Sequence, residues 1–140
     1  MQRFEDMKVW QDAKRLAVLI YKLTSKKQYS RDFGLKDQMR DAAVSVMSNI
    51  SEGFESRTQL MFIEYLGRAK ASAGELRAQL HLSLEIGYLE QSEFEGAFSL
   101  AEECSREIRG LMRYLETKPN APRIRRGDTR KPPTESSSEA

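Results

Sequence analysis

The side chains best suited to chemistry crowd one short stretch, SNISEGFESRTQ at residues 48–59, which sets Asn49, Glu52 and Arg57 around Gly53 with Ser48, Ser51 and Ser56 beside them. A carboxylate, an amide and a guanidinium held together could form a small polar site. A serine acts as a nucleophile only when a base takes its proton, and no histidine neighbours these three. Helix punctuation accounts for more of the stretch. Gly53 stands where a left-handed C-terminal cap is expected, with Phe54 following as the hydrophobic contact of such a cap. Thr58 is the expected N-cap of the next helix, or Ser56 in a capping box with Gln59. Asn49, Glu52 and Ser45 recur at spacings of three and four, which puts them on one helix face beside the core. They are the candidate interface residues, forming either a solvated face or a hydrogen-bonded contact with another helix or a second subunit.

Other chemistry is scarce. Cys104 is the single cysteine and His81 the single histidine, so an internal disulfide and a two-cysteine metal site are both excluded. A carboxylate-bridged di-iron bundle would need two Glu-x-x-His pairs. The residue three before His81 is Ala78. We therefore expect no metal, no cofactor and no enzymatic activity.

The elements that must position these residues are helical. Apolar residues at Phe4, Met7, Ala13, Leu16, Ala17, Ile20 and Leu23 follow helical spacing, and TSKKQYS at 24–30 reads as a polar connection. Ser30 is the expected N-cap of a second helix carrying Leu35, Met39, Ala42, Ala43, Val46 and Ile50. A third helix is predicted from near Thr58 to about Ile86, closed by Gly87. Its centre, AKASAG at 69–74, is built of small residues that suit close packing, and such packing would offset the cost of Gly74. Ser92 and Glu95 form the expected capping box of a fourth helix, which runs through Phe94, Ala101, Cys104 and Ile108 to Leu115. No strand pattern interrupts this. The fold expected is an all-α, antiparallel up-down-up-down four-helix bundle over residues 1–117, followed by a disordered tail over 118–140.

Charge is unevenly placed. Of 23 basic and 21 acidic residues, six and three fall beyond residue 117, leaving a body with 17 basic against 18 acidic. The positive excess belongs to the tail, in Arg123, Arg125, Arg126, Arg130 and Lys131. Arg106, Arg109 and Arg113 share one side of the fourth helix and lead toward it, although Glu102 is spaced to pair with Arg106. These residues would bind RNA or DNA through phosphates, with Arg40, Arg68 and Arg77 as secondary contributors. No apolar run is long enough to span a bilayer and no signal peptide is evident, so a cytoplasmic protein without membrane contact is expected.

Residues 4–117 as a whole resemble a known family. FEDMKVWQDAKRLA, GLKDQMRDAAVSVMSNISEGFESRT and FIEYLGRAKASAGELRAQLHLSLEIGYL together resemble the bacterial four-helix-bundle proteins encoded in intervening sequences of large-subunit ribosomal RNA genes, relatives of the accessory variability proteins of diversity-generating retroelements. The resemblance implies a non-enzymatic homopentamer. In the retroelement branch it also implies a basic surface that binds nucleic acid and a reverse transcriptase. The alternative it leaves is a protein-interaction module, such as a reverse-transcriptase accessory protein. Asp41 and Ser56 stand where the family usually carries basic residues, which moves the expected nucleic-acid contact from the bundle to the tail.

Overall fold

The computed structural model describes residues 3–118. Four helices form it: α1 (Lys8–Leu23), α2 (Phe33–Phe54), α3 (Gln59–Glu85) and α4 (Gln91–Glu116), with single 3-10 turns at Phe4–Asp6 and Lys27–Tyr29. No strand occurs among the described residues. Each helix packs on the next and α1 closes the ring against α4, so α1 and α3 stand on opposite corners. The fold is all-α, as the periodicity predicts, because each apolar stripe finds two neighbours to cover it. Leu16 and Ile20 from α1, Met39 and Ile50 from α2, Leu66, Leu76 and Leu80 from α3, and Ile108 from α4 are all fully buried.

Several helix boundaries differ from expectation, each for a local reason. The connection after α1 is not wholly polar: Tyr29 is fully buried, with its ring edge-on to Tyr88 at 4.9 Å. Ser30 closes the 3-10 turn that carries Tyr29 inward, its amide donating to Lys27. It is therefore not the cap of α2. Asp32 is, accepting from the Leu35 amide at 3.1 Å while Tyr88 Oη donates to its other oxygen at 2.9 Å. Thr58 caps α3 as expected, with the Met61 amide donating to its hydroxyl at 3.1 Å. At the far end Gly87 has φ of 84°. The Tyr88 amide reaches Ser83 O and the Gly87 amide reaches Leu84 O, the paired bonds of a Schellman cap.

The capping box of α4 lies two residues earlier than Ser92 and Glu95. Glu90 is the N-cap and Glu93 the partner, its carboxylate accepting from the Glu90 amide at 2.9 Å. Both frames offer a glutamate at the third position, but this one places Leu89 and Phe94 in the core on either side of the cap. That is the staple position, where apolar burial selects the frame. Glu93 also pairs with Lys26. The bond from Glu90 and then the pair with Lys26 hold its carboxyl below the ordinary range.

Gly53 is not a left-handed cap. It lies inside α2, and among the described residues the only positive φ belongs to Gly87. Its role is space: a Cβ there would stand 2.8 Å from both Phe62 Cδ1 and Tyr65 Cβ. The close packing expected at Gly74 is found here and at Ala69 and Ala73, which are fully buried. At Gly74 itself a Cβ would meet only Arg77 Nη2 at 3.5 Å, an ordinary contact.

Two glycine substitutions separate these roles. Gly53→Ala is expected to destabilise the fold by about 1–3 kcal/mol, since a methyl must push apart a packed helix pair. Gly96→Ala, in α4 with nothing within 4 Å of the new methyl, is expected to stabilise by roughly 0.5–1 kcal/mol through helix propensity. Urea denaturation of both variants measures the contrast.

Candidate functional site

The polar corner resolves into helix packing. Ser45 Oγ meets Ser72 Oγ of α3 at 2.8 Å, and Asn49 Nδ2 donates to Ser45 O at 2.8 Å and Ser45 Oγ at 2.9 Å. This chain of small polar groups bridges α2 and α3 at the edge of the core. Ser45 therefore contacts another helix of the same chain, and Asn49 supports it from one turn along α2. Glu52 and Arg57 are exposed and outside this network, while Ser56 is buried and donates to Gly53 O. Among the described residues no hydrogen bond or ion pair joins Asn49, Glu52 and Arg57 to one another.

The basic candidates fall into three sets. Arg40 is occupied structurally: its Nε donates to Thr24 Oγ1 at 2.8 Å, its Nη2 to Ser25 Oγ at 3.2 Å, and its guanidinium lies 4.4 Å from the Tyr21 ring centroid. It ties the start of α2 to the end of α1. Arg68 lies over the Tyr65 ring at 5.0 Å, and Arg77 is half-buried on α3. The second set is Arg106, Arg109 and Arg113, all exposed. Among the described residues no carboxylate within 4.0 Å pairs with them, Glu102 included. Tyr114, 57% exposed, continues the end of α4, with Lys118 Nζ 4.7 Å from its ring centroid. The third set, Arg123, Arg125, Arg126, Arg130 and Lys131, lies outside the described residues, as does all of the tail expected to be disordered except Lys118.

One charged cluster escaped the pattern reading. Lys8 Nζ on α1 reaches Asp12 Oδ2 at 2.7 Å, and from α4 Glu107 Oε2 at 2.6 Å and Glu103 Oε2 at 3.2 Å. Asp12 is almost wholly buried and also pairs with Arg15. Three carboxylate oxygens within 4.8 Å of one another could hold a cation. Here the chain supplies its own in Lys8. Burial raises the Glu107 carboxyl above the ordinary range, opposed by Lys8 and reinforced by neighbouring Asp12. Burial is the largest influence on Asp12 and disfavours its charge, but the bonds from Lys8 and Glu107 together with the charges of Lys8 and Arg15 outweigh it and hold that group low. Asp12 is the anion of the pair and Glu107 takes the first proton. The available signal was Asp12 falling four residues before Leu16, on the buried stripe rather than beside it.

The remaining chemical groups are quiet. Cys104 is fully buried, and burial pushes its thiol up to about 12, so it stays protonated. His81 is exposed, with its ring against Phe94 at 5.1 Å and Phe98 at 4.9 Å.

An apolar groove of about 520 Å³ runs between α1 and α2. Val18, Val44 and Met47 line its length, Trp10 and Tyr21 its ends, and Lys14 and Lys22 its rim. Val18 is 46% and Tyr21 44% exposed. Half-exposed aromatics beside α1 are legible in the sequence, but the groove they share with α2 depends on the pairing of the two helices.

Comparison with known proteins accords with this fold. A family profile described as 23S rRNA-intervening sequence protein matches residues 5–110. No curated protein matches the chain. Among solved structures, a protein of unknown function from the S23 ribosomal protein family of Bacteroides thetaiotaomicron VPI-5482 superposes with a TM-score of 0.69 at 22% identity, covering 74% of this chain and 97% of that one. At that identity the likeness concerns the fold.

The Lys8 cluster carries a pH signature. Glu107 binds its proton more readily folded than unfolded, so its contribution to stability grows as pH falls from about 7 toward the ordinary carboxylate range. Asp12 contributes in the opposite sense, and its share is lost only below that range. Glu107→Gln is therefore expected to be at least as stable as the parent near pH 7, with the parent gaining on the variant as pH falls to about 5. Melting temperatures at the two pH values test it; a parent that loses ground over that interval contradicts the assignment.

Proposed function

The chain belongs to the 23S rRNA-intervening sequence protein family, and from its geometry we propose that it is a non-enzymatic, cytoplasmic, homo-oligomeric scaffold that holds nucleic-acid backbone. The observation that carries the nucleic-acid half is the row of Arg106, Arg109 and Arg113, exposed along one side of α4 with no ion pair within 4.0 Å among the described residues. Three guanidiniums at spacings of three and four span about two helical turns, and each offers a planar fork to phosphate oxygens. Phosphate contacts of this kind position a nucleic acid without reading its sequence.

The non-enzymatic half is supported by the state of the reactive groups. The one thiol is protonated and buried, the one imidazole packs on phenylalanine rings, and the carboxylate cluster is bound to an internal lysine. Assembly is supported by the exposed apolar groove, and the pentameric number is what the family resemblance implies. A protein-interaction module, such as a reverse-transcriptase partner, is the second reading. The same groove favours it, because a channel between two helices suits a third.

Binding of the full chain to a structured RNA over a salt series tests the proposal. The triple variant Arg106→Glu, Arg109→Glu, Arg113→Glu should keep its helix content. Its log–log salt slope is expected to be shallower by about 2–3, since each lost phosphate contact removes about 0.7–0.9. Absence of binding at low salt by the parent chain overturns the nucleic-acid reading.

A further inference from the structure

Two surfaces of the described chain have no explanation within it. The first is the α1–α2 groove, apolar along its length and rimmed by Lys14 and Lys22. The second is the outward side of α3, where Ala71, Glu75, Ala78, Leu82 and Glu85 are all exposed, Leu82 at 49%. Flanking it are the half-buried Gly67 and Gly74. A glycine in a helix interior costs roughly 1 kcal/mol relative to alanine. Neither repays that cost inside the chain: a Cβ at Gly67 would come no nearer than 3.8 Å to Met112 Cε, and one at Gly74 no nearer than 3.5 Å to Arg77 Nη2. Gly53 shows the contrast, since helix packing within the chain does require that glycine.

We infer that the α1–α2 groove seats the outward face of α3 from a second copy of this chain. The inference rests on the homo-oligomeric reading and names its interface. The two surfaces complement each other in three respects. In shape, a bulky channel with Trp10 and Tyr21 at its ends meets a helix face of glycine and alanine, which lets the incoming backbone come close. In polarity, Val18, Val44 and Met47 meet Ala71, Ala78 and Leu82. In charge, two lysines meet two glutamates. At 1.5 Å per residue Lys14 and Lys22 stand about 12 Å apart along α1, and Glu75 and Glu85 about 15 Å apart along α3, so both pairs can form across one contact. Rim charges of this kind fix partner and register more than they add affinity.

The geometry also dictates the kind of assembly. α1 packs on α2 and α4, and so does α3, which places α1 and α3 on opposite corners and turns the outward side of α3 away from the groove. One copy therefore offers its groove to the next copy and its α3 to the one before. Such a head-to-tail contact cannot be satisfied in a closed pair; it closes as a ring of more than two copies or continues as a filament.

Charge reversal with rescue tests this on the full chain. All four substitutions, Lys14→Glu, Lys22→Glu, Glu75→Lys and Glu85→Lys, fall on the groove rim or the outward α3 face, so each variant is expected to keep its helices, which circular dichroism checks. By light scattering at micromolar concentration the parent should have the mass of more than two copies. Either pair of reversals should weaken self-association at least tenfold, and the four together should restore it. A parent monomer overturns the oligomeric reading and this interface with it. A parent assembly unmoved by the reversals, or a mass of two copies, overturns the interface alone. Loss of RNA binding in Lys14→Glu, Lys22→Glu with the mass unchanged overturns it as well, by showing the groove to be a nucleic-acid seat.

Discussion

The close seam between α2 and α3 is the constraint on which the other arrangements depend. Gly53 admits Phe62 and Tyr65 at a distance where a methyl would clash, and the Ser45–Ser72 contact with Asn49 behind it marks how near the backbones lie farther along. Buried alanines continue the seam on both helices, Ala42 and Ala43 facing a core that includes Ala69 and Ala73. With small residues here, the large side chains of the core are drawn toward the bundle axis. The reach of α1 and α4 is set by what remains.

α1 then covers only part of the bundle. It has 16 residues against 27 in α3, about 24 Å against about 40 Å of helix. Its position is secured at its two ends by polar contacts, Lys8 to the α4 carboxylates and Arg40 to Thr24 and Ser25. Between those ends its outer side and α2 leave the groove between them. The same economy explains why the reactive groups are quiet: the acids nearest the core are consumed in anchoring α1. What stays uncommitted is surface, an arginine row on α4 and two apolar faces that no part of the described chain covers.

Much of this architecture could be read from the sequence. Helical spacing located all four helices, and Thr58 and Gly87 were recognisable as start and stop signals because each has one local solution. The failures share a physical cause. Ser92 with Glu95 and Glu90 with Glu93 are the same motif two residues apart, and the choice between them was made by the burial of Leu89, a tertiary effect. Tyr29 sat in a polar run but found the ring of Tyr88, distant in sequence. Gly53 carries the same letter whether it is needed for φ or for space, and only the neighbouring helix distinguishes them. Asp12 stands four residues from Lys8, and nothing local shows that Glu103 and Glu107 arrive from the other end of the chain to meet that lysine. The candidate surfaces divide likewise: exposed arginines on one helix are legible from periodicity, whereas a groove made by two helices is not.

On the proposed seating, the faces left open by this packing are occupied by another copy of the chain. Oxidative footprinting of the full chain at dilute and at assembling concentrations addresses it most directly, with Trp10, Met47 and Leu82 as reporters. All three are expected to become protected together as copies associate, while the exposed Tyr114 near the end of α4 remains reactive. If Trp10, Met47 and Leu82 oxidise as fast in the assembly as in dilute solution, the proposed seating of α3 in the α1–α2 groove is contradicted.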